Sequence, residues 1–583
     1  MDNYKKIVWK VIDKYFRDNP DFLVKHQLDS YNEFINKGIS QILRENNPIN
    51  WFAIDEDNAA SKYDIRMYIG GKEGNKIYYG KPIIYEDNEE TNKKESHYLY
   101  PNEARIRNMT YGFSINVDVD VEITMNINED KPPTIINETL SKLYLGRFPI
   151  MLQSNLCILK GLAPQVRFNM GECKNDVGGY FIINGKEKSI ISQERFADNM
   201  LNIKINKKDD KYSHSVDIRS VSEDASKPER VLSIGLLAPD GEYRNNNILV
   251  NIPQVKKPIP LFILMRALGV LSDKKIIEYC LLDLKKNKEL LELFESSIYD
   301  SKLIYTQENA INYISTFCKH KTIPNVLKIL SDFLLPHIGE TNYNDKAYFI
   351  GYMVYKLLLV NIKAEKPTDR DSFMFKRVDL AGNLLFNLFK EYYQIQQKEI
   401  RLAIDKKNFH HKGEFNTSST FPNLILKYYN EYFKNHITAV GFQKAFKGNW
   451  GASPHTKKIG VVQDLNRLSW NSAQCQLRKI NLPIGDSAKI VPPRLLHGSQ
   501  WGIIDPVDTP DGGNVGTHKH MSITTNITSG YSSITIIDYL KKINIILLDD
   551  LKPQYLSDTT KIFVNGKWLG NIDNPIELMK DLK

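Results

Sequence analysis

From residue 114 to residue 127 the chain alternates without a break. Ile115, Val117, Val119, Val121, Ile123, Met125 and Ile127 share one side of an extended backbone, while Asp118, Asp120 and Glu122 occupy the other. A period of two sustained this long is that of a β-strand with one apolar and one wet face. The three carboxylates are then the solvated side of an antiparallel sheet, which is the ordinary reason for such alternation, and not a metal cluster.

Helical periods occupy other stretches. Residues 4–16 place Ile7, Val11, Ile12 and Tyr15 on one side before Asp18-Asn19-Pro20 stops the run, and Gln27-Leu28-Asp29-Ser30 opens a second helix. A long helical pattern covers residues 384–406, with shorter ones near 261–268, 285–294, 326–334 and 349–359. Two β-rich apolar runs flank Asn184-Gly185, whose tolerance of positive φ predicts a tight hairpin, and residues 561–570 repeat the pattern of strand, turn and strand. Mixed helices and strands over 583 residues predict an α+β chain of several domains, because one core does not grow to that size.

Hydrophobic residues at 42% and charged residues at 25% belong to an ordinary globular protein. The chain holds no apolar run of the length that spans a membrane. Its start, Met1-Asp2-Asn3-Tyr4-Lys5-Lys6, lacks the apolar core of a signal peptide, so an intracellular protein is expected. The five cysteines, Cys157, Cys173, Cys280, Cys318 and Cys475, form no Cys-x-x-Cys pair and read as reduced thiols rather than as a zinc site or disulfide frame.

No phosphate-binding Gly-x-x-x-x-Gly-Lys-Ser/Thr loop is present, nor a strand-linked Gly-x-Gly-x-x-Gly, nor a Gly-x-Ser-x-Gly elbow, which argues against a self-contained nucleotide-binding or serine-hydrolase enzyme. Asp508 and Asp511 flank Thr509-Pro510, a spacing that predicts a turn rather than two carboxylates on one helix face. Charge is more informative. The chain carries +9 overall, and residues 434–510 alone hold ten Lys and Arg against four Asp, which favours a polyanionic partner. Within that segment Gln463, Arg467, Arg478 and Lys479 mix amides and cations suited to phosphate and sugar contacts. Salt bridges between domains are the alternative for the cations. Residues 444–450 offer Lys444, Phe446, Lys447 and Trp450 either for stacking on nucleic acid or for packing a domain junction. Residues 485–493, without a regular period, predict a mobile loop beside the nucleic acid.

The stretch 485–516 contains Pro493-Arg494-Leu495-Leu496-His497, then Trp501-Gly502, then Asp508-Thr509-Pro510-Asp511-Gly512. In order and spacing it resembles the fork of the second-largest subunit of multisubunit RNA polymerases, which reads Pro-Arg-x-Leu-His, Trp-Gly and Glu-Thr-Pro-Glu-Gly. The same family is resembled by Gln27-Leu28-Asp29-Ser30-Tyr31-Asn32, by residues 101–111, by residues 178–194 with Gly179-Tyr180-Phe181-Ile182-Ile183-Asn184-Gly185, by residues 369–382, by Gly448-Asn449-Trp450 and by residues 463–479. Two departures stand out. Both fork glutamates are aspartates here, shortened by one methylene, and Lys479 replaces the second of two arginines, keeping charge but losing the planar fork of donors.

The resemblance is closest to the eukaryotic, archaeal and large-DNA-virus branch. It implies protrusion, lobe and fork domains with the start of an external domain: 1–196 and 379–450 as the two parts of the protrusion, 197–378 as the lobe, 451–530 as the fork and 531–583 as the opening of the external domain. It implies template-directed RNA synthesis in a complex with the largest subunit, smaller subunits, DNA template and RNA, with no membrane involved. Two Mg2+ ions, held mainly by the largest subunit, would stabilise attacking and leaving oxygens. No catalytic residue and no metal, zinc included, is expected in this chain, because the family places these in the largest subunit or further downstream. Gln463, Arg467, Arg478, Lys479, Arg494 and His497 would contact nucleic acid, and Asp508 and Asp511 would lie near the active centre. Because residues 561–570 resemble a domain's opening strands, the chain is expected to be an amino-terminal half, inactive alone and completed by a carboxy-terminal half. The alternative is a non-catalytic nucleic-acid-binding or assembly protein derived from such a subunit.

Overall fold

The computed structural model describes residues 2–54, 61–88, 93–125, 133–207, 210–224, 226–239, 246–411, 414–415, 420–434, 436–484, 490–543, 545–548 and 553–583. They gather into two compact units, Met1–Arg195 with Lys376–Ser529, and Phe196–Phe375 with Gly530–Lys583.

In the first unit the alternating segment is the strand Gly112–Met125, the centre of a five-stranded antiparallel sheet. One edge pairs with Ser61–Ile69 and then Ile77–Tyr79, the other with Thr134–Pro149, and Ile49–Ile54 lies outside Ser61–Ile69. Burial alternates along the strand as its period predicts, with Ile115, Val117, Val119, Val121, Ile123 and Met125 buried. Ile127 lies outside the described residues. The acidic face is satisfied by neighbouring strands. Asp120 accepts from Lys76 Nζ at 2.8 Å, Asp118 from the Tyr78 hydroxyl at 2.9 Å and from Lys142 N–H at 2.7 Å, and Glu122 from the Tyr68 hydroxyl at 3.2 Å. These are cross-strand pairs of the kind that stabilise a sheet.

Helices cover the apolar face. Lys25–Glu33 and Ile39–Asn46, joined through the π-turn Phe34–Gly38, meet the long helix Ala381–His410 and the helix Ile437–Phe446. The contact between Lys25–Glu33 and the long helix is close enough to require glycine: a Cβ on Gly382 would stand 1.9 Å from the Ser30 carbonyl oxygen. There the Gly382 N–H donates to Ser30 Oγ at 2.6 Å. Phe446 and Trp450 are buried in this core, with the Phe446 ring 4.9 Å from that of Phe181, so packing is the role the structure gives them. Each such burial is worth about 1.5–3 kcal/mol. The hairpin at Asn184-Gly185 has φ of 48° and 78°, the two positive values that a type I′ turn needs.

The second unit opens with an antiparallel meander, Leu201–Ile205, Tyr212–Ser220, Arg230–Leu237, Ile248–Asn251 and Ile259–Pro260, paired in sequence order. Helices follow, the longest being Tyr343–Asn361. The strands Thr560–Val564 and Lys567–Ile572 form the hairpin expected near 561–570, and Trp568 is buried in the core of this unit.

Candidate nucleic-acid interface

The basic segment begins as an edge strand. Val462–Asp464 pairs antiparallel with Lys186–Ile190, Gln463 opposite Ser189, and so extends the Asn184-Gly185 hairpin. Gln463 donates to the Gly460 carbonyl at 3.2 Å and accepts from Gln476 at 3.4 Å. The helix Trp470–Leu477 then starts at Ser469, whose hydroxyl accepts from Ser472 N–H at 3.1 Å while Ser472 Oγ accepts from Ser469 N–H at 2.9 Å. Reciprocal capping of this kind fixes where the helix begins.

That placement aims Arg467 back at the hairpin. Its guanidinium donates to Glu187 at 2.7 and 3.1 Å and to Asp176 at 3.3 Å, and it lies 4.9 Å from the centre of the Tyr180 ring. Arg105 reaches the same Glu187 at 2.9 Å while bonding Glu172 at 2.8 Å and the Tyr180 hydroxyl at 2.8 Å. Burial pulls the Glu187 carboxyl upward, but the two guanidiniums outweigh it and hold the group below the ordinary carboxylate range.

Next, a four-stranded sheet collects segments distant in sequence, in the order Lys376–Asp379, Ser192–Phe196, Lys479–Asn481, His518–His520. At its centre Glu194, 1% exposed, accepts from Lys376 Nζ at 2.8 Å and from Lys519 Nζ at 2.7 Å. Arg478, 6% exposed, donates to the Leu23 carbonyl at 2.8 Å and the Ser522 carbonyl at 2.6 Å. Its guanidinium therefore ties the sheet to two main-chain segments. Lys479 is half-buried and faces Asp508; burial lowers its ammonium's pKa and Asp508 opposes that. Lys479 pairs across the ladder with His520, whose Nδ1 lies 3.1 Å from the Asp508 carbonyl and 3.2 Å from its carboxylate. Lys479, His520 and Asp508 are thus brought together.

The remaining predicted residues belong to a run of turns. Arg494 donates to the carbonyls of Ile490 at 3.2 Å, Gly513 at 2.5 Å and Val515 at 3.0 Å, closing one turn upon another. The closure needs Gly516, whose φ is 69° and whose added Cβ would stand 2.2 Å from the Arg494 carbonyl oxygen. His497 Nδ1 accepts from Ser499 N–H at 3.1 Å and lies 2.7 Å from Ser499 Oγ, so a neutral ring carries its proton on Nε2. Asp508 and Asp511 share no helix face, as their spacing predicts, but the backbone between them is irregular rather than a turn. Asp505 accepts from the N–H groups of Val507 and Asp508 at 3.0 and 3.2 Å, and Asp511, exposed, precedes the 3₁₀ turn Gly512–Asn514. The loop expectation for 485–489 falls outside the described residues.

Large apolar side chains stand on this surface: Leu468 is 89% exposed, Trp501 80%, Val507 83%, Leu495 61% and Leu496 62%. Sequence reasoning missed them, together with Glu187, Glu194, Lys519 and His520. The glutamates stand in the string 178–194 that the resemblance singled out, but nothing local connects them to residues hundreds of positions away. Among the described residues no group of three or more His, Cys, Asp and Glu could hold a metal ion.

Comparison with known proteins places these features in a family. Residues 22–422, more than half of the chain, match the family described as RNA polymerase beta subunit, and residues 463–527 match RNA polymerase Rpb2, domain 3. The chain is 33% identical over 595 residues to DNA-directed RNA polymerase II subunit RPB2 of Encephalitozoon cuniculi, covering 99% of this chain and 49% of that protein. It is 32% identical to DNA-directed RNA polymerase II subunit 2 of Arabidopsis thaliana, over 99% of this chain and 48% of that one. It is 28% identical to DNA-directed RNA polymerase subunit 2 of Acanthamoeba polyphaga mimivirus, over 98% and 47% respectively. The chain spans about half the length of the curated relatives it matches.

Proposed function

The chain belongs to the RNA polymerase beta subunit family, and on that footing we propose that it works as the amino-terminal part of the second-largest subunit of a DNA-directed RNA polymerase. In this reading residues 1–196 and 379–450 are the protrusion, 197–378 the lobe, 451–530 the fork and 531–583 the start of an external domain. The fork lies beside the active centre and the chain forms one side of the DNA cleft. The partners are the largest subunit, a polypeptide supplying the carboxy-terminal half of this one, smaller subunits, DNA template and RNA. The complex works inside the cell. Mg2+ is held mainly by the largest subunit, and no step of the chemistry is assigned to a side chain of this one.

Within the fork the residues take different roles. Lys479, Arg494, His497 and Gln463 lie on or near the surface and are proposed to face the nucleic acid. Arg467 and Arg478 hold the strands that carry them, and Asp508 sets His520 and Lys479. Asp511 remains available near the active centre, one methylene shorter than the family's glutamate and so suited to contact through water.

The observation that supports this reading best is the exposure of the large apolar side chains Leu468, Leu495, Leu496, Trp501 and Val507, the last two at 80% and 83%, in the segment that matches Rpb2 domain 3. Several large apolar side chains this exposed within one segment suit a surface that another chain covers. The test is co-expression with the largest subunit and a polypeptide corresponding to the other half of the relatives. A stable complex with template-directed RNA synthesis is expected. A chain that purifies alone as a monodisperse monomer from that co-expression, with no complex formed, would sink the proposal.

A further inference from the structure

We propose that the first helix, Asp2–Asp18, is a docking element whose apolar side seats in a groove of the polypeptide that corresponds to the carboxy-terminal half of the relatives. The inference rests on the family reading above and gives that partner a surface to bind. None of residues 4–15 is buried, so the helix stands clear of the core of its own unit. At 3.6 residues per turn Tyr4, Ile7, Val8, Val11, Ile12 and Tyr15 fall on one side, and all are exposed, Tyr4 at 74% and Val11 at 63%. Four of these six are β-branched, a class that disfavours a lone helix. A helix of 17 residues takes most of its stability in water from tertiary packing of its apolar face. Here packing is concentrated at the last turn, where the rings of Tyr15, Phe16 and Phe22 meet edge to face with centres 5.4–5.6 Å apart. Just beyond, the Leu23 carbonyl accepts from Arg478 at 2.8 Å and Val24 is buried. An amphipathic helix fixed at one end and bare along its length has the form of a helix that lies in a partner's groove.

Two observations point to this occupant. The matches to the Encephalitozoon and Arabidopsis subunits each take in 99% of this chain, which leaves only a few residues unmatched, so most of the helix belongs to the length those relatives share. The same matches take in 49% and 48% of those proteins, where as much sequence again stands in one polypeptide with the helix. A groove on that remainder meets the helix within one chain, at an effective concentration that a separate subunit does not reach. Charge is the second observation. On the helical wheel Lys14 borders the apolar stripe beside Ile7 and Lys5 borders it beside Ile12. The groove that fits is apolar along its floor and acidic at its rim. The largest subunit, nucleic acid and an anionic lipid surface are the competing occupants, and the last two would be held through the lysines more than through the stripe.

The test is photo-crosslinking in the complex made by co-expressing the full chain with the largest subunit and a polypeptide corresponding to the other half of the relatives. A benzophenone amino acid in place of Val11 should attach to that polypeptide, as read by mass spectrometry of the linked peptide. A chain carrying both Ile7→Gln and Val11→Gln keeps good helix formers but loses two apolar anchors. Competing with wild type for the same complex, it should be under-represented by at least about tenfold, since each buried aliphatic side chain is worth about that factor or more. Its unfolding midpoint should match wild type, because neither side chain packs on its own unit. Lys5→Gln with Lys14→Gln should cost less, and only at low salt. A crosslink to the largest subunit or to nucleic acid, or none in an assembled complex, overturns the proposal. So does an Ile7/Val11 variant that competes as well as wild type, or a lysine variant that loses more than it does. Each of these outcomes is read in a complex that wild type has formed and leaves the family reading standing. A wild-type chain that assembles with neither polypeptide sinks that reading and the docking helix with it.

Discussion

The basic segment that reads as one feature in the sequence is two regions in the structure. In residues 463–481 the guanidiniums are tied down: Arg467 to Glu187 and Asp176, Arg478 to two carbonyls. In residues 490–516 only the turns are tied, chiefly through Arg494, while Leu495, Leu496, Trp501 and Val507 stand in solvent. The first region holds strands from distant parts of the chain in register, and the second presents a surface. Positive charge alone does not separate these roles, because a buried guanidinium and an exposed one contribute equally to a sequence count. Burial and the identity of the acceptor do.

The largest break in this comparison should come at Glu194. It is 1% exposed and faces two ammonium groups, so Glu194→Gln strands both lysines in a buried site. Removing one partner of a buried ion pair costs about 3–5 kcal/mol. The unfolding midpoint in urea should fall accordingly, with protection from hydrogen exchange lost along Lys479–Asn481 and His518–His520. The pH dependence has a definite sign. Burial raises the Glu194 pKa, but Lys519 and Lys376 outweigh it and the net shift is downward. A carboxylate whose folded pKa is depressed contributes its stability above its unfolded pKa and loses it as pH falls through the folded one. Wild type should therefore lose this contribution on acidification below the ordinary carboxylate range, and the Gln variant should show a shallower acid limb. A variant as stable as wild type, with an unchanged acid limb, would mean the triad does not hold the sheet.

A smaller effect, and a sharper one, separates Arg478 from its neighbour. Arg478→Ala removes two charged donors from main-chain carbonyls, a loss of about 2–4 kcal/mol in stability, with the salt slope of nucleic-acid binding unchanged. Lys479→Ala, at a half-buried position, should change stability by under about 1 kcal/mol and reduce the salt slope by about 0.9. If Arg478→Ala instead lowers the slope while the melting temperature stays put, the division between tied and presented regions is misplaced.

How much of this the sequence carries depends on whether the signal is local. The strand Gly112–Met125 and the hairpin at Asn184-Gly185 follow from period and from positive φ, which a few neighbouring residues decide. That Asp508 and Asp511 share no helix face is legible for the same reason, although the backbone between them is irregular and not a turn. The role of Arg478 was not, because its acceptors are the carbonyls of Leu23 and Ser522, and main-chain groups leave no mark on composition. Glu194 is a single acid in a family-like string, and only the sheet that adjoins residues 194, 376 and 519 makes it the centre of a triad. Exposure of Trp501 was equally hidden, since an indole in sequence reads as core by default.

Trp501 supplies the smallest expected effect on the isolated chain and the clearest view of the presented region. It is 80% exposed, so Trp501→Ala deletes little buried area and should change stability by no more than about 0.5 kcal/mol. The large apolar ring still has a consequence if another subunit covers it. Buried aromatic anchors at interfaces cost at least about 2 kcal/mol when truncated, which is roughly a thirtyfold loss of affinity. Co-purification with the largest subunit should therefore fall steeply while the unfolding midpoint stays within error of wild type. Leu468→Ala, on the tied side but 89% exposed, provides the contrast. If the covered surface includes both regions, the two variants weaken assembly alike; if only the turn region is covered, Leu468→Ala assembles normally. Should Trp501→Ala assemble as well as wild type, the indole is not part of the covered surface, and the presented region has to be sought among Leu495, Leu496 and Val507.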